Sequence, residues 1–326
     1  MSKRSAQVAN FNIVFGDKEQ PMLDFFDKII YPAMNANISK VSDDNEYMFK
    51  NIEISKNKED VYVLKGILVK KTILEIKSDL DEDGELIEKD EKYSAAPYSV
   101  FVVNLLNHRM IFMPNQKGSP SIANFRSTLK YVIDKYTNMQ NKELDEEQKL
   151  EYALVNVVGI PSAKTMDELL GNVKRINSLT LRFYPLNGDI DYTEAFGILT
   201  TDMRKDVGCK NGEIVFKSPK SIEGIKKLLE KAAGTINPIL QVVTKEGSKA
   251  KLKDYELSEK YELDFEENVD FETESEQLVD KMSSIATLTF TNSEHDKIYK
   301  RNEEKIIPFV KKRWFLLTQK KHLKMP

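Results

Sequence analysis

Residues 61–78, VYVLKGILVKKTILEIKS, run straight into residues 79–90, DLDEDGELIEKD, and the reading of that junction decides the fold. The second stretch has the spacing of a calcium loop, with acids at Asp79, Asp81 and Asp83, Gly84 at the sixth position and Asp90 at the twelfth. Such a loop lies between two helices. Here the preceding stretch is apolar and rich in β-branched residues, and KYSAAPYSVFVV (residues 92–103) reads the same way, so both flanks are strands. Asp90 also reaches less far than the glutamate a calcium loop places last. Asp-Gly between two strands is a hairpin tip. The junction therefore predicts a β-hairpin and assigns no metal.

Outward from it, VANFNIVF (8–15) and MFKNIEIS (48–55) read as strands, and residues 98–114, YSVFVVNLLNHRMIFMP, as a strand pair turning near Asn107. PMLDFFDKIIYPAM (21–34) predicts a helix with Met22, Phe25, Phe26, Ile29 and Ile30 on one face, opened by Pro21 and disrupted at its end by Pro32. A second helix is expected from about Ser121 to Met139, burying Ile122, Phe125, Leu129, Val132 and Ile133. The polar run NKELDEEQK (141–149) then suggests a boundary between an N-terminal part, residues 1–145, and a C-terminal part, residues 146–326.

Beyond that run, strands and helices alternate. LVNVVG (154–159), SLTLRFYP (178–185), GEIVF (212–216) and ILQVVTKEG (239–247) are expected strands. The last turns through Glu246-Gly247-Ser248 into KAKLKDYEL (249–257). Helices are expected over TMDELLGNVKR (165–175, with Thr165 and Glu168 as a capping box), YTEAFGILTTDMRKDV (192–207) and SIEGIKKLLEKAAG (221–234, from Ser221 to Gly234). The class is α+β: a mainly antiparallel N-terminal sheet, then a mixed sheet with crossover helices.

Composition fits a folded soluble protein, with 40% hydrophobic and 31% charged residues, and the net charge of −3 selects no partner. The distribution is more telling. Residues 254–280 hold twelve acids against one base, Lys260, whereas residues 297–326 form a basic tail. No apolar run approaches the roughly 20 residues of a membrane helix, and the opening MSKRSAQVANFNIVFG lacks an apolar core and a cleavage site. The single cysteine, Cys209, excludes an internal disulfide and a cysteine-rich zinc site. A cytoplasmic protein without membrane insertion is expected.

Two constellations carry chemistry. Asp60, Glu75 and Lys77 resemble the acid, then Glu-x-Lys, of restriction-endonuclease-like enzymes, where two acids hold Mg²⁺ and the lysine assists the attacking water. Glu75 and Lys77 share a strand face as that requires, but Glu-x-Lys is short, no turn separates Asp60 from Glu75, and an exposed cross-strand charge pair is the simpler account. The other is basic. FKSPKSIEGIKKLLEK (216–231) offers Lys217, Lys220, Lys226 and Lys227, and KIIPFVKKRWFLLTQKKHLK (305–324) offers Lys311, Lys312, Arg313 and Trp314. Lysines neutralise phosphates and aromatics stack on bases. Those groups equally suit a docked terminal helix, a fold-back onto the acidic segment, or contacts in a homo-oligomer. His108, His295 and His322 have no second ligand at metal spacing, and there is no phosphate-binding glycine loop.

Residues 155–185, VNVVGIPSAKTMDELLGNVKRINSLTLRFYP, follow the strand–helix–strand opening of RNA-recognition modules without their stacking aromatics. That block, together with VLKGILVKK (63–71) and VFVVNLLNHRMIFMP (100–114), resembles uncharacterised bacterial phage-defence proteins of the abortive-infection type. The resemblance implies a context and no site. The leading expectation is a defence-associated protein that binds nucleic acid or a partner protein through basic surfaces, with no cofactor. The alternatives are the Mg²⁺-dependent nuclease and a structural subunit of an oligomer.

Overall fold

The computed structural model describes residues 2–188, 197, 202–266 and 269–310. The predicted hairpin is present. Strand β5 (Tyr62–Leu80) turns at Asp81–Glu85 into β6 (Leu86–Ala95). The Asp81 carboxylate accepts the backbone N–H groups of Asp83 (3.0 Å) and Glu85 (2.9 Å), and Gly84 takes the positive φ of 82° that the turn demands.

Strand β5 belongs to a large sheet of ten strands among the described residues. Its main order is β14-β1-β8-β7-β5-β4-β3, where β1 is Ser2–Phe15, β3 Ser39–Ser42, β4 Asn45–Lys56, β7 Tyr98–Asn104, β8 Arg109–Pro114 and β14 Lys260–Phe265. β2 (Gln20–Pro21), β6 and β9 (Ala153–Gly159) pair beside that path. β1 is the hub. One edge holds β8, and the opposite edge holds β14 along Ser2–Gln7 and then β9 along Ala9–Phe15.

Both faces of this sheet are covered, which explains why its central strands read as unbroken apolar runs rather than alternating ones. Phe11, Ile13, Leu64 and Phe101 face helix α1 (Ile122–Asn141) and the turns over Met22–Asn35, while Val8, Val63, Val100 and Ile111 face the later helix Phe271–Met282. α1 begins as expected: the Ser121 hydroxyl accepts the Asn124 N–H and the Asn124 amide closes the box. The segment from residue 21 keeps its apolar face but not a single helix. It is a 3-10 turn (Met22–Phe25), a π turn (Phe26–Ile30) and an α turn (Tyr31–Asn35), and Pro32 opens the last of these rather than ending the run.

The boundary expected near residue 145 does not divide the sheets. Residues 141–149 only join α1 to β9, and β9, β14 and the helices after residue 270 all complete the first sheet. Polar composition marks a surface loop, and a surface loop need not be a boundary.

Helix α2 (Ala163–Leu170) leads into the second sheet, which comprises β10 (Val173–Phe183), β11 (Gly212–Lys217), β12 (Ile236–Thr244) and β13 (Lys249–Lys253) in the order β11-β10-β12-β13. α2 is shorter than its sequence suggests. Ser162 caps it through the Thr165 N–H (3.3 Å), and Gly171 ends it before Val173 enters β10. Helix α3 (Ile222–Ala232) is the expected crossover, carrying the chain from β11 past β10 to β12. β11 and β12 therefore run parallel to each other. Because β10 lies between them, each ladder is antiparallel, so the sheet is not mixed at any hydrogen-bonded pair. The strand expected through residue 257 stops at Lys253, where Asp254–Leu257 forms one helical turn. The helix expected over residues 192–207 lies largely outside the described residues.

That turn fixes one sheet to the other. The buried Asp254 carboxylate accepts the Gly159 N–H at 3.1 Å and the Arg126 guanidinium of α1 at 3.3 Å. A Cβ at Gly159 would sit 2.7 Å from the Asp254 carbonyl oxygen, so this approach needs glycine. Helices α4 (Phe271–Met282) and α5 (Ser293–Ile306) finish the described chain, and no helix among the described residues is long and apolar enough to cross a membrane.

Candidate nucleic-acid interface

Strand alternation gives the second sheet two unlike faces. Leu179, Leu181, Ile236, Leu240 and Val242 point to the side covered by α2 and α3, where they meet Met166, Leu170, Ile225 and Leu229. The residues between them point the other way. The ladders set Lys217, Ser178, Gln241 and Lys251 in one row across the strands, and Val215, Thr180, Ile239 and Lys253 in the next. Arg182 continues the first direction beside Glu213, and Arg175 and Lys249 flank Val243 in the other.

This uncovered face carries Arg175, Arg182, Lys217, Lys249, Lys251 and Lys253, with Glu213 as the acid among them. Arg182 spends its charge on Glu213 (2.9 Å). Lys253 is partly shielded, its ammonium 5.8 Å from the centre of the Tyr255 ring. Arg175, Lys217, Lys249 and Lys251 are exposed and make no ion pair among the described residues. Alternate lysines on a strand are about 6.8 Å apart, twice the roughly 3.4 Å axial step between phosphates of one strand of a duplex. The face is cationic, and its apolar members, Val215, Ile239 and Val243, are aliphatic. It can hold a phosphate backbone, and at its edge the half-buried Tyr184 lines a small cleft with Arg182 and Glu213.

Of the basic candidates named from the sequence that lie among the described residues, Lys217 alone is on this face. Lys226 and Lys227 ride on α3, on the opposite side of the sheet, and Lys220 precedes that helix. Lys226 is engaged. It bonds Asp167 of α2 and lies 3.3 Å from Glu223, and the Asp167 contact, the larger cause, raises its pKa. Lys311, Lys312, Arg313 and Trp314 lie outside the described residues. Part of the described start of the basic tail docks α5: Arg301 (2.9 Å) and Asn302 (2.7 Å) bind the Asp24 carboxylate, and Lys305 donates to its carbonyl oxygen (2.8 Å), while Lys297 pairs with Glu294 of its own helix. The docked part meets the turn after β2, not the acidic segment.

The nuclease constellation does not assemble. Asp60 is an exposed turn residue bonded to Lys56 at 2.8 Å. Glu75 lies far along β5, its carboxyl held below the ordinary range by hydrogen bonds from Lys92 and then Lys77. Lys77 pairs in turn with Asp90 (3.0 Å). The strand between Asp60 and Glu75 has a contour of roughly 40 Å, and among the described residues no three His, Cys, Asp or Glu side chains could hold a metal. The cross-strand charge pair is the correct reading of Glu75-x-Lys77. His108 and His295 are buried against each other, ring centres 5.8 Å apart.

Reading the sequence alone overlooked Arg175, Arg182, Lys249, Lys251 and Lys253 as a group. The signal for three of them was present: KAKLK places a lysine at every second position of a strand, hence on one face. Arg175 was hidden by the overlong helix reading. Comparison with known proteins finds no match to this chain, neither to a protein-family model nor to a curated protein.

Proposed function

We propose that this is a cytosolic protein that binds nucleic acid through the uncovered face of its second sheet, gripping the sugar–phosphate backbone rather than reading bases. The observation that carries the reading is the set of four exposed cations without an ion pair among the described residues, Arg175, Lys217, Lys249 and Lys251, brought onto one face from three strands. A backbone-directed surface predicts little sequence preference and strong salt dependence, because each neutralised phosphate releases condensed counterions. The sequence resemblance to phage-defence proteins supplies a setting in which such binding is useful. It adds no residue to the site.

The test is fluorescence anisotropy with labelled duplex DNA and single-stranded RNA over a salt series. The triple variant Arg175→Gln, Lys217→Gln, Lys251→Gln should weaken binding and flatten the log–log salt slope by about 2 to 3, near 0.9 for each lost duplex contact. Its melting temperature should stay within a degree or two, since the side chains are exposed. Lys220→Gln with Lys227→Gln, away from the face, should leave the slope alone. Absence of binding at low salt, or an unchanged slope in the triple variant, defeats the proposal.

A further inference from the structure

At the end of β10 the cationic face runs into a cleft. Leu179, Leu181 and Phe183 are buried, and the exposed Arg182 and half-buried Tyr184 alternate with them. Arg182 faces Glu213 across the ladder. Arg182, Tyr184, Asn211, Gly212 and Glu213 line a cleft of about 320 Å³.

The tyrosine is held from behind. Just after it, the Pro185 carbonyl accepts the Asn12 side-chain amide at 2.6 Å, and the Asn187 N–H donates to the Asn12 side-chain oxygen at 2.8 Å. Asn12 is buried on β1, the hub of the first sheet. Tyr184 thus sits between a strand and an anchored segment, so little freedom is lost when its ring is used.

Size and lining select the ligand. The volume is at the low end for a small-molecule cleft and has room for one nucleobase. Its walls offer an aromatic ring, a guanidinium, an amide and a carboxylate. A ring stacks on the flat face of any base, and the polar groups meet its edge. The Arg182–Glu213 pair uses the Nε–H of one residue and a single oxygen of the other (2.9 Å). The guanidinium has further N–H groups to give.

The placement of charge agrees. Glu213, the acid on this face, stands at the cleft, where it repels phosphate. Lys217 lies farther along the same strand, roughly 14 Å away, in one row with Lys251. A strand with its phosphates over those lysines reaches the cleft with a base. A duplex keeps its bases stacked inside, and extruding one costs its pairing and stacking energy.

We propose, on the reading of the cationic face as a backbone-binding surface, that the Tyr184 cleft seats one unstacked base and makes single-stranded nucleic acid the preferred ligand. Stacking accepts any base, so the preference for single strands comes without a preference for sequence. Fluorescence anisotropy at low salt should show a labelled oligothymidylate binding more tightly than a duplex with the same number of phosphates. It should also bind roughly 10-fold more tightly than an abasic strand of the same length, as one stacked base contributes. Tyr184→Ala should remove the advantage over the abasic strand while leaving duplex binding and the salt slope alone, because no cation is lost. Tyr184→Phe should keep the advantage. Tyr184→Leu, which fills the space without a ring, should lose it, so that a loosened cleft is told apart from a missing stack. Oligothymidylate bound no more tightly than the duplex or the abasic strand overturns the base seat and leaves the backbone-binding reading standing. So does an advantage that survives in both Tyr184→Ala and Tyr184→Leu. A chain that binds neither single strand nor duplex defeats that reading and the base seat with it.

Discussion

Phe125→Ala is expected to lower the folding free energy by about 4 kcal/mol, the middle of the range for emptying a buried aromatic site. The ring is fully buried on α1, with ring centres at 4.9 Å (Phe101), 5.4 Å (Phe49), 5.7 Å (Phe112) and 6.1 Å (Phe11). Those four partners come from β7, β4, β8 and β1, so one side chain ties the helix to four strands. Burial of a phenylalanine contributes about 1.5–3 kcal/mol. Each edge-to-face pair adds roughly 0.5–1.5 kcal/mol, and the cavity left behind cannot collapse because its walls are strands held in register. Guanidinium denaturation should show a lower midpoint at constant slope. Tyr131→Ala, on the solvent side of the same helix, should change stability by less than about 0.5 kcal/mol. A Phe125→Ala loss below about 2 kcal/mol would mean that the helix can slide to refill the space.

Phe125 was legible in the sequence because helical spacing alone places it with Ile122, Leu129, Val132 and Ile133. The hairpin was equally legible, since Asp83-Gly84 between apolar runs has few other uses. Pairing at long range was not. Alternation says which face of β1 is buried but not which strands lie beside it, and β9 and β14 reach β1 from far along the chain. A polar run such as residues 141–149 is compatible with a domain linker or a surface loop, and only the destination of the next strand decides between them. The 3-10 and π turns after Pro21 were hidden for another reason: they keep the apolar face that a regular helix would have, so the pattern survives while the backbone changes.

The candidate site divides along the same line. Lys217, Lys220, Lys226 and Lys227 are neighbours in sequence, yet the turn at Ser218–Ser221 sends Lys217 to one side of the sheet and the helix to the other. Lys226 is then taken by Asp167, a partner 59 residues away that no local pattern announces. The lysines that do share a face with Lys217 come from β13, two strands beyond its neighbour β10. Basic clusters in sequence and basic surfaces in space coincide only when one element carries both, as β13 does with Lys249, Lys251 and Lys253.

Arg4→Ala should cost about 3 kcal/mol at neutral pH, the low end for removing one partner of a buried pair, and much less in acid. Arg4 of β1 reaches the carboxylate of Glu274, which is buried on α4 and also accepts the Tyr98 hydroxyl at 3.1 Å. Burial is the larger influence and raises the Glu274 pKa above its ordinary value of 4.5; Arg4 and then Tyr98 oppose it. The folded chain thus holds this proton to higher pH than the unfolded chain does. The group's contribution to stability is complete below pH 4.5 and declines as pH rises through the folded-state pKa. Removing Arg4 takes away the strongest force opposing that rise, so the pKa climbs further and the neutral-pH penalty grows. Below about pH 4.5 the carboxyl is protonated in both states and the penalty shrinks to lost packing against Phe265, whose ring centre is 5.9 Å from the guanidinium. Urea melts of the wild type and Arg4→Ala at neutral pH and near pH 4 should therefore converge in acid. Adding Glu274→Gln to Arg4→Ala should recover most of the neutral-pH loss, because the amide can still accept from Tyr98 without carrying charge. A penalty equal at both pH values would place the role of Arg4 in its contact with Phe265 rather than in its pairing with Glu274.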